Sequence, residues 1–182
     1  MSTIEPDTRD WAAVLDEGCE ECGFTGNEDL LGVRTTIAEA AAAWTPSLGA
    51  PNASERIRED RWSTVEYAAH LRDVLTEFRA RTLLMLAEEA PTLPNFDGDA
   101  VAVESDYRSQ NSADVLAGLE TAAAAYAATL ADIGEDQWRR TGLRADGREF
   151  TIASLTRYGL HEVQHHLHDV TSPDVTSPDI TA

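Results

Sequence analysis

The chain has no lysine. All fourteen of its basic side chains are arginine, set against thirty-three acidic ones, for a formal net charge of −19 over 182 residues. A surface this acidic repels a phosphate backbone, because affinity for nucleic acid comes from cations that displace condensed counterions. Nucleic acid and anionic membranes are therefore excluded as natural partners. No apolar run approaches the roughly eighteen residues that a membrane helix needs. Met1-Ser2-Thr3-Ile4-Glu5-Pro6 has neither the basic nor the apolar region of a secretion signal, so a cytoplasmic location is expected. Cysteine is nearly absent too. The two residues present, Cys19-Glu-Glu-Cys22, have a spacing that suits a redox pair or half of a separate metal site better than a structural disulfide.

The 42% of hydrophobic residues is enough for one buried core at this length and too little for two. Residues 1–27 have weak periodicity and a short apolar patch at Trp11, Val14 and Leu15, which predicts a packed N-terminal arm. From there the apolar residues recur at three and four positions, as on one face of a helix. Asn27 is the expected cap of a first helix through Leu30, Val33, Ile37, Ala41 and Trp44, ended by Thr45-Pro46. Ser63 and Glu66 form a capping box for a second, with Tyr67, Leu71, Val74, Phe78, Thr82 and Met85 as its stripe. Pro94 to Asp99 is a loop placed to approach any site on that helix. Ser112 is the expected cap of a third helix, carrying Val115, Leu119, Ala122, Tyr126, Leu130 and Ile133. The Asp146-Gly147 turn predicts a small hairpin, and a fourth helix follows over 152–170. The proline-bearing tail 171–182 is polar and expected to be disordered. The fold class expected is all-α: an antiparallel-type four-helix bundle over 28–170, with an N-terminal arm and a small hairpin before the last helix.

The fourth helix carries four of the five histidines, His161, His165, His166 and His168, interleaved with Glu162 and Asp169. Imidazole and carboxylate on one bundle helix are the donors of a metal site. Two pairs at i, i+4 compete: His161 with His165, and Glu162 with His166. A wheel at about 100° per residue puts His166 within the apolar stripe of Ile152, Leu155, Gly159, Val163 and Val170. Glu162 falls on the shoulder of that stripe, and His161 and His165 project to the opposite, solvent-facing side. The wheel favours Glu162 and His166, joined by His70 from the second helix, with His161 and His165 as the alternative. Asp73 and Asp169 are placed to orient an imidazole from behind.

Trp62-Ser63-x-x-Glu66-Tyr67-x-x-His70-x-x-Asp73, together with Glu162-Val-Gln-His-His166, resembles the DinB-like metal-binding four-helix bundles over about residues 28–170. That superfamily includes mycothiol-dependent maleylpyruvate isomerases and other thiol S-transferases. The resemblance implies one histidine from the second helix and an i, i+4 pair from the last, here His70 with Glu162 and His166. It also implies zinc or nickel as the metal and a low-molecular-weight thiol such as mycothiol as cosubstrate.

Two neutral histidines and one carboxylate leave coordination positions open, as a catalytic site requires. The expected activity is transfer or thiol-assisted isomerisation on a small electrophilic substrate, with Arg72 and Arg157 placed to hold its carboxylate. Metal-assisted hydrolysis and a non-catalytic metal-binding or sensor bundle are the alternatives. The partners expected are a small-molecule substrate and a second copy of the chain as a homodimer.

Overall fold

The computed structural model describes Ile4 and residues 9–172; the predicted disordered tail lies almost wholly outside them. The arm opens with a 3-10 turn at Trp11–Ala13, capped by Asp10, that runs into a single helical turn, α1 (Val14–Glu17). A tight turn follows. Cys19 N–H donates to Phe24 O at 2.7 Å and Gly23 N–H to Cys19 O at 2.9 Å. Gly18 takes φ +76°, and a Cβ there would stand 2.9 Å from Phe24 O, so only glycine lets the chain fold back so closely.

Four long helices make the bundle: α2 (Leu30–Leu48), α3 (Thr64–Ala87), and, after the short α4 (Gly98–Glu104), α5 (Ser112–Ala131) and α6 (Ile152–Thr171). Their buried residues are the periodic ones, including Val33, Ile37 and Trp44 on α2 and Leu71, Val74 and Met85 on α3. Each large apolar side chain fully buried this way contributes about 1.5–3 kcal/mol. The Ser63–Glu66 capping box of α3 forms as its residues predict. Helix starts shift by a residue or two elsewhere: Asp29 caps α2 and Asn111 caps α5. The expected cap Ser112 instead lends its hydroxyl to Leu48 O. That contact, with the burial of Leu48, carries α2 past Pro46, which the helix absorbs in its last turn instead of stopping before it.

Helices α5 and α6 each pack against both α2 and α3, whereas α2 and α3 touch only marginally. The first two bundle helices are thus diagonal partners, and the long 49–63 connection crosses between them. This order sets α3 directly beside α6. Before α6, β1 (Thr141–Leu143) and β2 (Glu149–Thr151) pair antiparallel, Gly142 opposite Phe150, around a turn with Gly147 at φ +90°. Leu93 N–H and Leu143 N–H bond across to Leu143 O and Pro91 O, tying the hairpin to the chain after α3. No helix among the described residues is long and apolar enough to cross a membrane.

Candidate metal centre

The adjacency of α3 and α6 brings together His70, Glu162 and His166, whose donor atoms all lie within 4.8 Å of one another. Both imidazoles aim at the same carboxylate oxygen: Glu162 Oε2 is 3.2 Å from His166 Nε2 and 3.7 Å from His70 Nε2. Behind His166, Asp169 Oδ2 lies 3.1 Å from Nδ1, one turn along α6. That contact holds a proton on Nδ1 and turns Nε2 towards the cluster. His70 has no such support. Its Nδ1 is buried without a hydrogen-bond partner, and the backbone of Gly98 passes so near that a Cβ there would lie 2.7 Å from His70 Cε1.

The electrostatics of the cluster favour positive charge. Burial acts to raise the Glu162 carboxyl, but the imidazoles of His161, His166 and His70 overcome it and hold the group well below the usual carboxylate range. Burial alone would discharge His166; the Asp169 and Glu162 carboxylates instead push it up to about 9. Burial lowers His70, leaving it the neutral imidazole that a metal needs. Two carboxylates this little exposed favour positive charge, which either a protonated His166 or a divalent ion on this donor set can supply.

The cluster opens on a cavity of about 920 Å³, walled by Trp62, Tyr67, Phe78, Phe96 and Tyr158 and reached by Arg9, Arg61, Arg81 and Arg144. The arginines expected from helix position do not line it. Arg72 turns away over α5 beside Gly118, pairing with Asp73 at 2.7 Å and Gln110 at 2.9 Å, and Arg157 donates to Glu28 O. Asp73 likewise supports no ligand: it takes Arg72 and the Tyr107 hydroxyl, the latter at 2.5 Å. Spacing along α3 put Asp73 one turn from His70, but Tyr107, which arrives from a distant 3-10 turn, decides where its carboxylate goes. The cavity arginines sit on the arm, the loops and the hairpin, where helical periodicity carries no information; Arg81 alone is on a bundle helix.

The opposite side of α6 is not solvent-facing. His161 and His165 are 1% and 5% exposed, because the arm lays Trp11, Cys19 and Phe24 over them. The wheel reading of these two histidines as solvated is corrected by that cover. The same packing makes a second donor group of Cys19, Cys22, His161 and His165, within 4.8 Å of one another. Burial acts to raise the Cys19 thiol, but the Cys22 backbone, the neighbouring His161 imidazole and the Glu21 backbone bring it below its ordinary value. Burial pushes Cys22 up to about 11.

Fold and site together define a class: a helical bundle that turns a His and a Glu-x-x-x-His from two adjacent helices towards one internal point. Residues 26–170 match the family model of the DinB superfamily, and the chain belongs to that superfamily. Among solved structures it is similar to YfiT from Bacillus subtilis, described as a probable metal-dependent hydrolase with an unusual four-helix bundle topology. The two share 21% identity at a TM-score of 0.69 over 76% of this chain and 82% of that one, a likeness of fold. No curated protein matches the sequence.

Proposed function

We propose that the protein is a divalent-metal-dependent enzyme acting on a small electrophilic substrate, with His70, Glu162 and His166 as metal ligands and a low-molecular-weight thiol as cosubstrate. The observation that carries this reading is the donor cluster's place on the wall of a cavity of about 920 Å³. That volume lies in the upper part of the ~300–1,000 Å³ range of small-molecule sites, room for a thiol and a second reactant where one water needs ~30 Å³. Three protein donors leave coordination positions for an exogenous ligand. Zinc or nickel held there supplies Lewis acidity and lowers the pKa of a coordinated thiol or water.

The chain's own residues prepare the site. Asp169 fixes the His166 tautomer, and Gly98 gives the His70 ring room at the α4 N-terminus. The aromatic walls limit water around the reacting groups. Arg61, exposed at the mouth and near enough to act on Tyr67 and Asp169, takes the role of holding a substrate carboxylate. The acidic surface keeps polyanions away, and a cytoplasmic setting suits two free thiols.

The test is thiol consumption by the zinc- or nickel-loaded full chain, across small thiols including mycothiol and a panel of carboxylated electrophiles. Turnover should need the metal and vanish in His166→Ala. Absence of binding or consumption with every thiol refutes the thiol reading. Metal-dependent hydrolysis is the second reading, favoured by the description of YfiT and by Asp99. That carboxylate lines the cavity and acts electrostatically on His70, where it can take a proton from an attacking water. Cleavage of esters or amides with no thiol present distinguishes it.

A further inference from the structure

We propose that Cys19, Cys22, His161 and His165 form a second, structural zinc site that fastens the N-terminal arm to α6. Four donors, two soft thiols and two imidazoles, converge from two segments about 140 residues apart in sequence and no farther than 4.8 Å between donor atoms. Tetrahedral zinc with bonds of about 2.3 Å to sulfur and 2.05 Å to nitrogen has S–N edges of about 3.6 Å. Cys19 Sγ and His165 Nδ1 are 3.6 Å apart.

A second observation points independently to a ligand. His161 is 1% exposed, and both its ring nitrogens are buried with no hydrogen-bond partner. Nδ1 comes no nearer than 3.9 Å to Glu162 Oε1, too long for a hydrogen bond. A buried imidazole with neither nitrogen satisfied is a poor core residue and fits the part of a metal ligand. His165 turns Nδ1 to the Cys19 sulfur, and its Nε2 lies on the side of Asp169 Oδ2 at 3.8 Å and Glu21 Oε2 at 3.9 Å, near these carboxylates but beyond hydrogen-bond reach.

The turn that carries the thiols is shaped for the purpose. Gly18 and Gly23, both at positive φ, fold Cys19–Phe24 back on itself so that both sulfurs face α6. Trp11 and Phe24 close the sides, their rings 4.7 Å from His165 and 5.3 Å from His161. Cys19 is covered by this packing at 6% exposure, while Cys22 remains half-buried. Both cysteines are unpaired. On binding, the two thiols release their protons to solvent and the imidazoles donate as neutral bases, so two thiolates balance one divalent zinc. Four protein donors leave no open position, so the site is structural and separate in role from the cluster on the bundle side.

The test uses the full chain, stripped with chelator and kept reduced. Cobalt(II) added to the wild-type protein should give the thiolate-to-metal charge-transfer absorption and the intense visible bands of a tetrahedral ion, both displaced by zinc. The Cys19→Ser/Cys22→Ser variant should lose the charge-transfer absorption and one metal equivalent while keeping the equivalent bound on the bundle side. His70→Ala/His166→Ala should do the reverse, so failure of either site is read separately. Thiol-reagent titration needs no variant: one zinc equivalent beyond the bundle-side site should shield both sulfurs. The proposal is overturned if the reduced wild-type protein shows no charge-transfer band, if the band survives the double serine substitution, or if zinc leaves both thiols reactive.

Discussion

His161 and Glu162 are neighbours in the chain and belong to different donor clusters. His161 is sealed under Trp11 and Phe24 of the arm, and Glu162 points into the bundle at His70 and His166. The relation repeats one turn later, with His165 towards Cys19 and His166 towards Glu162. An i, i+4 pair in each cluster makes α6 the element that two donor clusters share, and His161, Glu162, His165 and His166 all line the one cavity. Asp169 stands between them, 3.1 Å from His166 Nδ1 and 3.8 Å from His165 Nε2.

Asp169→Asn is expected to weaken metal binding on the bundle side by about 10–100-fold, the usual cost of losing the group that orients a ligand imidazole. Competitive titration against a chromophoric chelator measures it. An unchanged affinity would mean that the contact between His166 and Asp169 does not orient the ligand.

Metal removal should be visible as lost stability, because the bundle-side donors join α3 to α6. In the Cys19→Ser/Cys22→Ser background, metal at a hundred times its dissociation constant stabilises by about 2.7 kcal/mol. At roughly 2–4 °C per kcal/mol for a chain of this size, the melting temperature should rise by about 5–11 °C over the stripped protein. Thermal melts with and without chelator, repeated on Glu162→Ala, which should show no such rise, decide the matter.

The four helices and the hairpin were legible because their signals are local: apolar recurrence, a capping box, an Asp-Gly turn. Neighbour order in the bundle was not, since nothing in the 49–63 connection states that α2 and α3 will lie diagonally. The convergence of His70 on Glu162 and His166 could be anticipated because each lies on or beside its own helix's apolar stripe. The Cys-x-x-C and the His161/His165 pair were each visible in the sequence, but the wheel assumes one covered face. The cover on the other comes from Trp11 and Phe24, whose spacing has no period to read. Asp73 and Arg72 failed for a related reason: each had a competing partner, Tyr107 and Gln110, from a remote segment.

Gly98 and Gly32 offer a paired test of how tightly the site is built. A Cβ at Gly32 would meet nothing nearer than Asp29 Oδ2 at 3.9 Å, so Gly32→Ala on α2 should stabilise by up to about 1 kcal/mol. A Cβ at Gly98 would stand 2.7 Å from His70 Cε1 and 3.0 Å from Nδ1, and the ring must move. Gly98→Ala should cost about 1–3 kcal/mol by overpacking and lower bundle-side metal affinity as well. Urea melts and metal titration of the two variants side by side provide the check. Equal behaviour would show that His70 is not held against that backbone.

The part-buried ion pair at the head of α3 gives the chain an acid-sensitive contribution to stability that is independent of metal. Glu66 is 2% exposed, receives Arg56 Nε at 2.9 Å, and accepts the Ser63 N–H at 2.8 Å. Burial acts to raise its carboxyl, but Arg56 and Ser63 overcome it and hold the group below its ordinary value of 4.5. A depressed folded-state value means that the unfolded chain binds the proton first. The pair's contribution is therefore full above about pH 4.5 and is lost as the pH falls from there through the folded-state value. Glu66→Gln keeps an acceptor for Ser63 but leaves the half-buried Arg56 charge without its partner, which should cost about 1–3 kcal/mol at neutral pH. Chemical denaturation of both proteins at a series of pH values should show that difference shrinking on acidification. A gap that stays constant down to pH 3 would mean that Glu66 does not titrate in the way its surroundings require.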